Sequence, residues 1–167
     1  MKFVLAAGTA MMLLCSGAFA AQTVAGWEID RDGDGDCRAT HVYKDADDND
    51  AENAVVFGTF KARDGRDVMI ISVAYANWNW DKGQEVKADF LINDTVYAPD
   101  RTWTAPNDKA LVATFTEKVD ALMRSFGKGK TITLRFDGDE DEEASFEIPN
   151  VGQAIGALQF CQQSKPQ

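Results

Sequence analysis

Short runs in which apolar and polar residues alternate fill most of the chain, and clusters of Asp, Asn and Gly separate them, which is the pattern of strands and turns. Segment 26–29 reads as a first strand and 37–44 as a second, with Cys37, Ala39, His41 and Tyr43 facing one way and the turn 30–36 making the two a hairpin. A second pair, 54–62 and 68–75, is joined by a turn at Arg63-Asp64-Gly65-Arg66. Val68-Met69-Ile70-Ile71 is apolar on both faces, so that strand belongs in the middle of a sheet. In 85–92 the alternation puts Val86, Ala88, Phe90 and Ile92 on one side, as expected of a strand with one wet face. Turns at Asn93-Asp94 and Pro99-Asp100 divide the next stretch into a strand at 95–98 and a short segment around Trp103, and 111–115 adds another strand.

Helical spacing occurs only late. Val119, Leu122, Met123 and Phe126 form one apolar stripe, with Thr116 placed to cap the helix and Gly127 to stop it. The segments 131–136 and 144–148 then form a hairpin across an acidic tip. A last helix starts at Asn150 with Gln153 as its capping-box partner, and Val151, Ala154, Ile155, Leu158 and Cys161 line its inner side. The expected fold is therefore mainly β with two C-terminal helices: a single domain, an antiparallel β-sandwich or partly closed barrel of about eight strands.

The first twenty residues do not belong to that domain. Lys2, the apolar stretch 3–14 and the small-x-small site Ala18-Phe19-Ala20 read as a secretory signal cleaved before Ala21, and the stretch is too short to span a bilayer. Cys15 also follows an apolar run, but a lipoprotein site wants a small residue before the cysteine, and Leu14 is large. The expected product is a periplasmic or secreted domain at 21–163 with a frayed tail at 164–167. It keeps two cysteines, Cys37 and Cys161, which permit one disulfide in an oxidising compartment; the alternative is two free thiols. The bridge would tie the last helix to the first hairpin.

The net charge of −10 becomes −11 once Lys2 is removed, which argues against nucleic acid and against insertion into or adhesion to anionic membranes. Solubility explains this acidity, and so does a recognition face for a basic partner.

Candidate chemistry is sparse. Asp30, Asp32, Asp34 and Asp36, with Gly35 at the sixth position, open like an EF-hand calcium loop. The twelfth position, however, is His41 instead of a bidentate Glu, and strands flank the loop. A non-EF calcium site helped by Asp45, Asp47 or Asp48 competes with a plain polar turn, and no other cofactor is indicated. The acidic run 137–143 reads as a solvated tip. His41 is the sole histidine and sits in a strand pattern; no serine has a nucleophile-elbow setting, and no phosphate loop, zinc spacing or dinucleotide fingerprint occurs, so no catalytic residue is assigned. Tyr75, Trp78, Trp80, Tyr97 and Trp103 remain as a contact platform for a protein or glycan, or as core.

The C-terminal order, in which helix 119–126 leads into Gly127-Lys128-Gly129-Lys130, then two strands and the helix with Gly152-Gln153-Ala154-Ile155-Gly156-Ala157-Leu158, resembles the invasion-associated locus B family of exported bacterial proteins. Trp27 followed by Cys37 is similar to that family as well, though its members often carry more cysteines. The resemblance implies a β-rich periplasmic or surface domain without known enzyme chemistry, and it carries over no catalytic residue. The functional expectation is a non-enzymatic exported binding or envelope-interaction protein. The alternatives are an acidic periplasmic inhibitor or immunity protein against a basic hydrolase, and a calcium-dependent binding module.

Overall fold

The structure, a computed structural model, describes residues 21–31, 36–45, 50–136 and 142–164. The leader, Asp32, Asp34, Asp47, Asp48 and most of the acidic tip lie outside the described residues. Among the described residues, ten strands and two helices make up the fold: β1 Gln22–Val24, β2 Trp27–Arg31, β3 Cys37–Asp45, β4 Ala51–Lys61, β5 Asp67–Tyr75, β6 Glu85–Ile92, β7 Thr95–Asn107, β8 Ala110–Phe115, α1 Val119–Phe126, β9 Thr131–Phe136, β10 Glu143–Glu147 and α2 Val151–Gln163. All of these strands join one antiparallel sheet in the order β1-β2-β3-β4-β5-β8-β7-β6-β9-β10, which leaves β1 and β10 as its edges. The sheet curls until β10 approaches β4, but it does not close. Among the described residues no helix is long and apolar enough to cross a membrane.

Alternation along the central strands sets what lies inside. Ala39, Phe57, Ile71 and Ala113 fall in register across β3, β4, β5 and β8, and all four are buried. On β3 the inward set is Cys37, Ala39, His41 and Tyr43, as the sequence pattern requires. Trp27, Phe57 and Phe126 then stack edge to face with ring centroids 5.2 Å apart at each step, linking β2, β4 and α1.

Three features depart from the sequence reading. The turn expected at Pro99-Asp100 is a bulge within one long strand, β7. Asp100 takes a left-handed φ of 49°, and its N–H donates to the Asp89 carboxylate at 2.7 Å, so the register shifts while pairing with β6 continues on both sides. The helix caps also differ. Lys118, not Thr116, precedes α1, and both Lys118 and Asn150 are left-handed with no side-chain cap bond, so neither Thr116 nor the Asn150–Gln153 box operates. Tertiary packing fixes these helix starts instead. Finally, Gln22–Val24 pairs with β2 as a short edge strand that its sequence alone did not mark.

The disulfide expected between Cys37 and Cys161 is present, with Cα atoms 6.1 Å apart. It spans 124 residues, a loop whose closure is worth roughly 4–5 kcal/mol in chain-entropy terms before any native strain. Polar contacts reinforce it. Trp27 Nε1 donates to the Pro149 carbonyl at 2.7 Å, Arg31 donates to the Cys161 carbonyl at 2.5 Å, and the Gln162 amide donates to the Thr59 hydroxyl at 2.8 Å.

The two helices meet through glycine. A Cβ on Gly152 would lie 2.8 Å from the Gly127 carbonyl oxygen, and one on Gly127 would lie 3.1 Å from Ile155 Cδ1. Gly127 has a right-handed φ of −63°, so close approach, not left-handed geometry, explains it. Gly152→Ala is expected to lower stability by about 1–3 kcal/mol through overpacking, while Gly156→Ala, facing open space, leaves the melting temperature unchanged or raises it. Paired thermal melts check this.

Candidate functional site

Where the curled sheet fails to close, the C-terminal end of β3 faces the free edge of β10. The phenol oxygen of Tyr43 accepts a hydrogen bond from the Glu147 backbone N–H at 2.9 Å and joins the two. Beside this contact lies a cavity of about 370 Å³ lined by Lys44, Asp45, Thr131, Ser145 and Phe146 in addition to that pair. Asn53 packs next to it on β4, opposite Tyr43 in register, only 2% exposed, with its amide nitrogen 3.5 Å from the Asp45 carboxylate. Its Oδ1 is buried without a hydrogen-bond partner.

An aromatic cluster backs the seam. Trp78 packs edge-on against Phe146 at 5.8 Å, Tyr75 at 5.9 Å and Trp80 at 5.6 Å, and Trp80 lies 5.9 Å from Phe136. Tyr75, Trp78 and Trp80 are half-buried against the core, so the first three expected contact residues come together as the wall behind the seam and not as a bare platform. The other two lie elsewhere. Tyr97 leans on Phe90 at 6.5 Å near the start of α1, and Trp103 is fully buried between Phe90 and Phe115, which leaves it no surface to offer a partner.

In the acidic turn, the carboxylate of Asp30 is already engaged. Arg38 reaches across the β2–β3 hairpin and engages both carboxylate oxygens of Asp30, at 2.8 and 2.9 Å, so an incoming cation would have to displace a guanidinium. Asp36 is described and sits beside the disulfide, while Asp32 and Asp34 fall outside the described residues. Among the described residues no group of three or more His, Cys, Asp or Glu side chains is arranged to hold a metal ion.

His41 is tied into the core. Its Nδ1 lies 2.9 Å from the Gly26 carbonyl, and its ring sits between Trp27 at 5.1 Å and Tyr43 at 5.4 Å. A second concavity of about 630 Å³ runs between the end of β4 and the two helices, and two pairs of its lining side chains bond each other, Lys61 with Asp67 at 2.7 Å and Gln162 with Thr59 at 2.8 Å.

Sequence reasoning missed Tyr43, Asn53 and Ser145. Tyr43 read as one more inward strand residue, and its contact with Glu147 spans 104 residues. The one available signal was Asn53, a polar residue on the inward parity of β4 that Val55 and Phe57 continue.

Burial raises the Tyr43 pKa above its ordinary value of 10.0; the Glu147 N–H and the Asn53 amide oppose this, and the Glu147 and Asp45 carboxylates add to it. The folded chain thus holds this proton more tightly than the unfolded chain. The resulting stability is present in full below pH 10 and is lost as pH climbs through the folded pKa. Tyr43→Phe is expected to flatten the fall in melting temperature above pH 10 relative to the parent, as alkaline thermal melts would show.

In three dimensions the chain is similar to invasion associated protein B from Bartonella henselae, with a TM-score of 0.53 and 11% sequence identity, over 87% of this chain and 99% of that one. No protein-family model matches the sequence, and no curated protein matches it. At this identity the likeness establishes a shared fold.

Proposed function

We propose that the mature domain is an exported, non-enzymatic binding protein of the bacterial envelope, working in the periplasm or at the surface, with the seam between β3 and β10 as its contact region. The observation that carries this reading is the unclosed sheet: a free strand edge stands beside a cavity and is backed by the Trp78 cluster. A long-range disulfide suits an oxidising compartment, and the fold likeness to an invasion-associated protein supports an envelope setting. The placement of His41 favours binding over catalysis, since the only imidazole of the chain is stacked in the core on a backbone carbonyl.

The rim of the seam favours a second reading within the same setting. Asp45 and Glu147 line its cavity and Glu52 stands opposite Lys44 in register, so carboxylates outnumber the one lysine there, which suits an acidic inhibitor steered to a basic hydrolase. Envelope extract passed over immobilised mature domain separates the two. Retention of an envelope component that Trp78→Ala abolishes, without loss of fold, supports the first reading. A cationic hydrolase released by moderate salt, and inhibited by the soluble domain, supports the second. Retention of nothing in either wash contradicts both.

A further inference from the structure

The edge of β10 has a hydrogen-bonding pattern that prescribes what could bind it. Residues 142 and 148 bond to β9, since Phe136 N–H donates to the Glu142 carbonyl at 2.9 Å and Ile148 N–H to the Lys130 carbonyl at 2.8 Å. Antiparallel alternation then turns the backbone groups of Glu143, Ser145 and Glu147 away from β9, and Ser145 and Glu147 line the cavity. Among the described residues, the one outward group that finds a partner is the Glu147 N–H, and its partner is not a strand but the Tyr43 phenol oxygen, which stands where a neighbouring strand's carbonyl would lie.

From this geometry we infer that β10 accepts an added strand, and that its occupant is an extended basic segment of another protein in which lysine or arginine alternates with apolar residues. This rests on the binding reading above and names the class of partner. The side chains of Glu143, Ser145 and Glu147 share the exposed face, whereas Ala144 and Phe146 turn inward. A strand paired with this edge sets its own alternate residues beside Glu143 and Glu147, where basic groups fit, the one beside Glu143 in exchange for Arg135, which holds that carboxylate at 2.5 Å, and the intervening ones beside Ala144 and Phe146, where apolar groups fit. A second copy of this chain is the poorer occupant. Antiparallel pairing of two β10 edges about Ser145 sets Glu143 of each copy opposite Glu147 of the other, and like charges directly opposite are destabilising. The buried Asn53, with its unpartnered Oδ1, lies beside Tyr43 and offers an acceptor once the phenol swings aside.

The test uses the disulfide-bonded mature domain and a short capped peptide alternating lysine and valine, followed by amide NMR. Expected are shifts centred on residues 143–147, weakening with salt, and no binding by the glutamate–valine counterpart. Ser145→Pro removes an outward N–H together with the hydroxyl that bonds Thr133 at 2.8 Å, so Ser145→Ala, which removes the hydroxyl alone, is its control, and the proline variant should weaken the peptide by about tenfold or more relative to it. The double reversal Glu143→Lys, Glu147→Lys should switch preference to the glutamate–valine peptide, and it answers the question even if the proline variant folds poorly. Tyr43→Phe, which uncaps the Glu147 N–H, should bind the peptide at least as well as the parent. No binding at millimolar peptide, equal binding to a folded Ser145→Pro domain, unchanged preference in the double reversal, or shifts confined to other strands would overturn strand addition. An envelope component retained by parent and Ser145→Pro alike would overturn it too while leaving the binding reading intact, whereas retention of nothing counts against that reading itself.

Discussion

A covalent tie between the second long strand and the final helix organises this molecule. Cys37 starts β3 and Cys161 lies on the buried stripe of α2, so the bond fixes the last element of the chain onto the β2–β3 hairpin. The contacts around it have the same topology: Trp27 to Pro149, Arg31 to Cys161 and Thr59 to Gln162 all join the N-terminal strands to the C-terminal helix and the residues that lead into it. None of these contacts lies within a sheet ladder. Sheet pairing alone would leave a curled ribbon with two ends, and α2 covers β2 and β3 where another strand would otherwise be needed.

The same arrangement explains why an edge survives. A barrel removes its edges by closure, whereas here α2 shields the β2–β3 end and β10 is left to meet β3 through one phenol. Short length and flanking carboxylates disfavour pairing of this edge with a copy of itself. Aromatic packing behind it, from Phe146 through Trp78 to Tyr75, holds the strand in place without covering its backbone. Fold stability and the proposed contact region therefore share residues, with the Trp78 cluster belonging to both.

Much of this was legible in the sequence. Period-two alternation gave the inward set of β3 and the bounds of β6, although Leu91 on the expected wet face of β6 is buried; the bounds of β9 matched as well, and helical spacing gave the buried stripes of both helices, because one parity or stripe decides burial on β3 and on the helices. The cysteine pair was readable because two cysteines allow one bridge. What escaped depends on contacts distant in sequence: the β6–β9 and β5–β8 pairings, the Tyr43–Glu147 bond and the bulge at Asp100, which a Pro-Asp dipeptide disguised as a turn. The family-like glycines were visible but their reason was not. Gly127, Gly129 and Gly152 are small because neighbouring atoms leave no room for a Cβ, whereas Gly156 meets nothing. Likewise the tryptophans were recognised as important but not sorted, since only the structure separates the half-buried Trp78 from the enclosed Trp103.

The central claim, that the disulfide holds the closing helix on the sheet, is tested most directly by native-state hydrogen exchange before and after selective reduction. The account predicts that amides of α2 and of β2 lose protection first and by orders of magnitude, while those of β4, β5 and β8 keep theirs. Equal protection of α2 in the oxidised and reduced chains would contradict it.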